Sequence, residues 1–117
     1  MKKLILLGIV LATSLMTAYA QQFMQITTIE SVVPGGLGRS RMISSTPTGS
    51  VDEIKLENFF SLVGINFENI RYNDKLITDK IADMYKQGWK LINVTPGVYG
   101  ADKSTGIFIT RYLFQKD

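Results

Sequence analysis

The sequence predicts an α+β domain: an antiparallel sheet of four to five strands with one helix, at about 73–87, packed on one face. Three observations predict it. Several stretches alternate with a period of two and are rich in β-branched residues. One stretch has the spacing of an amphipathic helix. Turns bearing glycine and proline separate these segments and keep them short.

Residues 23–33 read as a strand, with Ile26, Thr28, Glu30 and Val32 on one face and Thr27, Ile29, Ser31 and Val33 on the other. Pro34-Gly35-Gly36-Leu37-Gly38 ends it with strong turn chemistry. Residues 39–45 read as the returning strand of a hairpin, and 46–50 as a second turn. Residues 51–60 carry Ile54, Leu56, Phe59 and Phe60, a pattern open to a strand or a short irregular segment, of which a third strand is the favoured reading. In 62–71, Gly64, Asn66 and Asn69 point to a loop whose Ile65, Phe67 and Ile70 tuck under the sheet.

The helix follows. Asn73 or Asp74 is placed to cap its first amides. Ile77, Ile81, Met84 and Tyr85 form an apolar stripe with Leu76 beside it, and Gly88 stands where a left-handed C-cap belongs. Residues 90–95 then read as a strand closed by Pro96-Gly97, and 99–105 as a loop. The last strand, 106–115, is apolar on both sides: Ile107, Ile109 and Leu113 on one, Phe108, Tyr112 and Phe114 on the other. Such a strand belongs in the middle of a sheet, covered on both faces.

Ahead of this domain stands an address. Lys2 and Lys3 give a positive start, residues 4–16 are almost wholly apolar without charge, and Ala18-Tyr19-Ala20 has the small-x-small pattern of a cleavage site. That is the grammar of a signal peptide cut after Ala20, so residues 21–117 are expected as a single domain in the periplasm or outside the cell. The apolar run is short for a bilayer core of roughly 30 Å, so no stable membrane anchor is expected after cleavage.

Removing 20 of the 117 residues leaves 97, enough for one domain with one modest core. The formal charge of +3 includes Lys2 and Lys3; without them, 11 basic residues face 10 acidic ones. A nearly neutral chain is not expected to bind nucleic acid, which needs a basic face. Cysteine and histidine are both absent, which removes disulfides, the thiolate nucleophile, and the commonest metal ligand and general base. An enzyme, a metal site and a cofactor are therefore not expected.

The segment Gln87-Gly88-Trp89-Lys90-Leu91-Ile92-Asn93-Val94 is followed about a dozen residues later by Phe108-Ile109-Thr110-Arg111-Tyr112-Leu113-Phe114. This resembles a family of small bacterial domains of unknown function. In them a helix ends in Gly-Trp, then Glu or Lys, Leu, two residues and Val, and the chain closes on a strand with an aromatic and a basic residue. The likeness covers about two fifths of the part after the leader. The Pro-Gly-Gly-Leu-Gly-Arg-Ser-Arg run looks like a secreted envelope branch and departs from shorter members. What the resemblance implies is fold; it brings no activity, cofactor or catalytic residue. Gly88 and Trp89 have a physical reading of their own, a structural corner in which the glycine ends the helix and the tryptophan covers the open end of the core.

Three other groupings stand out. Arg39 and Arg41 follow the glycine-rich turn, whose amides could make a nest for an anion. Tyr99, in the loop 96–105, is the best-placed aromatic for a glycan or other small ligand. Arg111 lies among Ile107, Ile109 and Leu113, and Glu30 among apolar residues of the first strand. An unpaired charge is costly in a core, so Glu30 is expected to pair with Arg111, or with Arg41 across the hairpin, and Glu30→Ala to lose roughly 3–5 kcal/mol. The functional expectation is a non-catalytic interaction module that binds a protein partner or itself, through a sheet edge or face to face. The alternative is a small-ligand, anion or glycan binder using the 34–41 turn and the 96–105 loop.

Overall fold

The computed structural model describes residues 20–34, 38–100 and 105–117. All but the last residue of the expected leader, the middle of the glycine-rich turn and the tip of the last hairpin lie outside the described residues. The described chain is an α+β fold, with a five-stranded antiparallel sheet, a two-stranded ribbon and one helix.

Strand β1 is Gln22–Val32, β2 is Ser40–Ser45 and β3 is Val51–Leu56. Strands β4, Phe60–Ser61, and β5, Gly64–Ile65, form the ribbon, and helix α1 spans Phe67–Lys86. Strands β6, Lys90–Gly100, and β7, Gly106–Lys116, complete the sheet in the order β3-β2-β1-β7-β6. The alternation read from sequence is the one the sheet uses. Met24, Ile26 and Thr28 of β1 are buried toward the helix, level with Met42 and Ser44 of β2 and with Tyr112 and Phe114 of β7. The core joins Met24, Ile26, Met42, Leu56 and Phe114 of the sheet to Ile77, Met84 and Trp89. Burying a side chain such as Phe114, fully shielded here, stabilises the fold by roughly 1.5–3 kcal/mol.

The helix starts six residues before Asn73, at Phe67, so the loop expected at 62–71 is the ribbon and the first helical turns. Asn66 is the cap; its side chain accepts a hydrogen bond from the Asn69 amide at 3.1 Å. Ile65 and Phe67 are exposed, not tucked under the sheet. Asn73, expected as the cap, is a fully buried mid-helix residue. Its Oδ1 accepts from the Glu57 amide at 2.8 Å, and its Nδ2 donates to the Glu57 carbonyl at 2.8 Å. Asn69 Nδ2 likewise donates to the Asn58 carbonyl at 2.9 Å. These tethers draw the 57–59 segment onto the helix, and the Ser40 hydroxyl fixes it to β1 by accepting from the Ser31 amide and donating to Asn58.

At its far end the helix closes in a Schellman corner. Gly88 has φ +89°, its amide donates to the Tyr85 carbonyl, and the Trp89 amide donates to the Met84 carbonyl, both at 3.0 Å. Trp89 and Met84 are both buried in the core, and Lys116 Nζ sits 5.3 Å from the centre of the indole.

Strand β6 does not stop at Pro96-Gly97 but runs on to Gly100. It is an edge strand, where the missing amide of a proline is tolerated. The last strand, β7, lies inside the sheet as its sequence predicts, paired with β1 on one side and β6 on the other, but the helix covers only one of its faces. No helix among the described residues is long and apolar enough to cross a membrane.

Candidate functional site

Where β6 and β7 run out past the helix, the helix side of the sheet is left open. Val94, Val98 and Phe108 point that way and are exposed, Val98 at 72%. The distal part forms a concavity of about 410 Å³ lined by residues of β6 and β7 from Val98 to Gly100 and Thr105 to Phe108, together with Val32, Pro34 and Phe60. Phe59 packs against Phe108, with ring centres 5.5 Å apart and planes tilted by 46°, which fixes one wall. Gly106 lies close to the Tyr99 carbonyl, so a side chain there would press on the neighbouring backbone. No charged side chain lines the concavity among the described residues. Its chemistry is apolar and aromatic, suited to a hydrophobic group.

The expected site residues are distributed differently from the sequence reading. Tyr99 and Pro34 meet at this concavity, although Tyr99 stands on a strand and not in a loop. Arg39 and Arg41 do not reach it. Arg39 is exposed ahead of β2, while Arg41 Nε lies 2.9 Å from Glu53 and its guanidinium also donates to the Ser40 carbonyl. The two arginines therefore form no shared anion site with Tyr99.

The expected Glu30–Arg111 pair is corrected by register. Arg111 is level with Thr27 and Glu30 with Phe108, so the two charges stand on opposite faces of the sheet. Arg41, level with Ile29, is also on the face away from Glu30. Arg111 needs no buried partner, because its face is open to solvent and the residue is exposed. Glu30 instead accepts from Asn73 Nδ2 at 3.0 Å. Burial pushes its carboxyl up, against the lowering effect of that hydrogen bond, and the Asp74 charge adds to the rise. Burial, and then the Glu30 charge, pushes the Tyr112 phenol up. Neither Glu30 nor Tyr112 lines the concavity, so this raised carboxyl belongs to the strap between helix and sheet. Gly88 and Trp89 form the corner already described, remote from the site.

Sequence reading passed over Phe60, Val98 and Phe108 as site residues. The adjacent Phe59-Phe60 and the two-sided apolar character of β7 are the only local signals for them. No family model matches the chain, and no curated protein or solved structure matches it.

Proposed function

We propose that this protein is a non-catalytic binding module that is exported through its leader to the periplasm or the cell surface and docks a protein partner on the apolar concavity at the open end of β6 and β7. The observation that carries this reading is a hollow of about 410 Å³ with no charged side chain among the described residues that line it, bordered by exposed apolar residues such as Val98, at 72%. Addition of a partner strand to β6 is less favoured, because Pro96 and the irregularity between Leu91 and Asn93 interrupt that edge. Side chains of the partner, inserted into the hollow, are the better fit.

The purified protein used as bait against bacterial envelope extract tests this. Val98→Lys is expected to lose the retained partner, while Leu62→Lys, at a still more exposed apolar residue on the ribbon, keeps it. A partner retained equally by both variants would count against the hollow as the docking site.

A second reading has an observation in its favour. Pro34 and Tyr99, from the two segments singled out in sequence, share the hollow, which admits a small ligand. Its lining favours an apolar or aromatic compound over an anion. A thermal-shift panel of apolar fragments, glycans and simple anions separates the possibilities, since a ligand held only by the folded state raises its apparent stability.

A further inference from the structure

The face of the sheet away from the helix has a smaller recess of different chemistry. On β6, Thr95, Gly97 and Tyr99 alternate onto that face, level with Arg111, Ile109 and Ile107 of β7. Gly97 has no side chain, so a notch of about 200 Å³ opens above it. Ile109 lies beside the glycine as an apolar floor, Thr95 and Tyr99 stand at the two ends, and Arg111 borders the Thr95 end. Between Thr95 and Tyr99 the extended strand spans roughly 13 Å, room for one sugar-sized ring with its substituents. The polar groups around the notch are uncommitted. Among the described residues, neither the Arg111 guanidinium nor the Tyr99 phenol has an ion pair or a hydrogen bond. Thr95 Oγ1 accepts from Asn93 Nδ2 at 3.3 Å, which leaves the threonine's own proton free to donate. No acidic side chain lines the notch among the described residues. Glu53, in the same row across the sheet, stands three strands away from Arg111 and is bound to Arg41.

We propose that this notch binds a sugar ring that carries a carboxylate. Each part of such a ligand meets a matching group. The planar fork of Arg111 takes the carboxylate through two parallel hydrogen bonds. The Tyr99 ring covers the apolar face of the sugar, and its phenol, like the Thr95 hydroxyl, serves the ring hydroxyls. Ile109 supplies the apolar floor. The outer side of the notch is open to water, and Tyr99 itself is exposed. That suits a hydroxylated ring, which keeps its outer hydroxyls solvated, whereas an apolar compound would be left half wet. The notch also lies on the edge strand of the sheet, so a longer glycan runs off past β6 without displacing a neighbouring strand. The hollow is a separate site, because it opens on the helix side of the sheet and its described lining holds no cation.

Titration of the isotope-labelled protein, followed by its NMR amide shifts, tests the proposal with galacturonate, the galacturonate trimer, galactose and inorganic sulfate. Galacturonate is expected to move the amides of Thr95, Gly97, Ile109 and Arg111, and galactose and sulfate to bind at least roughly tenfold more weakly. Arg111→Gln, at an exposed position, should weaken galacturonate at least roughly tenfold, and Tyr99→Ala roughly threefold. Gly97→Val fills the notch and should abolish the shifts. A Cβ at Gly97 comes no nearer than 3.7 Å to the Ile109 carbonyl, so the strand accommodates it. Lys55→Gln removes a cation of the same face outside the notch and should keep the affinity. Circular dichroism melts establish that each variant is folded. Tighter binding of the trimer assigns the sugar to a polymer, and equal binding assigns it to a free sugar acid. The proposal is overturned by unmoved amides with both galacturonate and its trimer, or by galactose or sulfate bound as tightly. Folded Arg111→Gln or Gly97→Val with undiminished affinity overturns it too, as does an equal loss in Lys55→Gln. Capture of a protein partner at the hollow should be unchanged in Arg111→Gln, so either reading can fail without the other.

Discussion

The Glu30 carboxylate is half-buried, takes a hydrogen bond from Asn73 and feels the charge of Asp74. Its proton is held more tightly in the folded chain than in the unfolded one, because burial raises the carboxyl above its ordinary 4.5. Its contribution therefore favours the fold at acid pH. That contribution is complete below 4.5 and is lost as pH rises through the folded-state value. Glu30→Gln keeps an acceptor for Asn73 and removes the charge. It is expected to melt above the wild type at neutral pH, with the gap closing in acid, as thermal scans at several pH values will show. An ion-paired Glu30 would do the reverse. Residue identity and alternation placed Glu30 correctly on an apolar face, but which charge shares that face depends on strand register, and parity within one strand does not reveal it. Gly38 makes the same point: a Cβ there would lie 2.5 Å from Ser31 Cβ and 2.7 Å from Asn58 Oδ1, a crowding created by three distant segments.

At the scale of elements, the corner after α1 shows a local signal sufficient in itself. Gly88 occupies the left-handed region at φ +89°, so Gly88→Ala should lower stability by about 1 kcal/mol, measured by urea unfolding with an unchanged m-value. No measurable loss would mean that the cap relaxes freely. Strands β1 and β2 are legible for a similar reason, since alternation and turn residues mark them in the sequence, and β7 through its continuous apolar run, whereas β3 is ambiguous between a strand and an irregular segment. The first turns of α1 are not legible. Asn66 and Asn69 read as loop residues, and Asn73 as a cap, because their side chains compete with the backbone for hydrogen bonds. In the fold, Asn69 and Asn73 spend those side chains on the Asn58 and Glu57 backbone, so tertiary partners outweigh local preference. Strand β6 was cut short in the sequence reading because Pro96-Gly97 normally ends a strand, and only its place at the edge lets it continue. The concavity was half legible. Turn chemistry pointed to Pro34 and Tyr99, whereas Phe108 enters it through its pairing with Val98 across the sheet and Phe60 from the separate ribbon.

The molecule as a whole has two unlike edges. Strand β3 carries Asp52, Glu53 and Lys55, which discourage pairing with another chain. Between Leu91 and Gly100 strand β6 carries no charge, and it relies on Pro96 and its irregular register instead. Pro96→Val would restore a donor within a stretch containing Ile92, Val94, Val98 and Tyr99. It is expected to aggregate faster at equal concentration, followed by light scattering and an amyloid dye; equal rates would sink this account of the edge. The core must hold this sheet without disulfides, and its closing point is the meeting of the helix end, the start of β6 and the tail of β7. Trp89 stands at that meeting point, nine-tenths shielded, and it is the single tryptophan in the chain. The protein therefore carries its own optical gauge. One intrinsic emission signal reports whether the helix, the hairpin and the carboxyl-terminal strand have come together, with no label required.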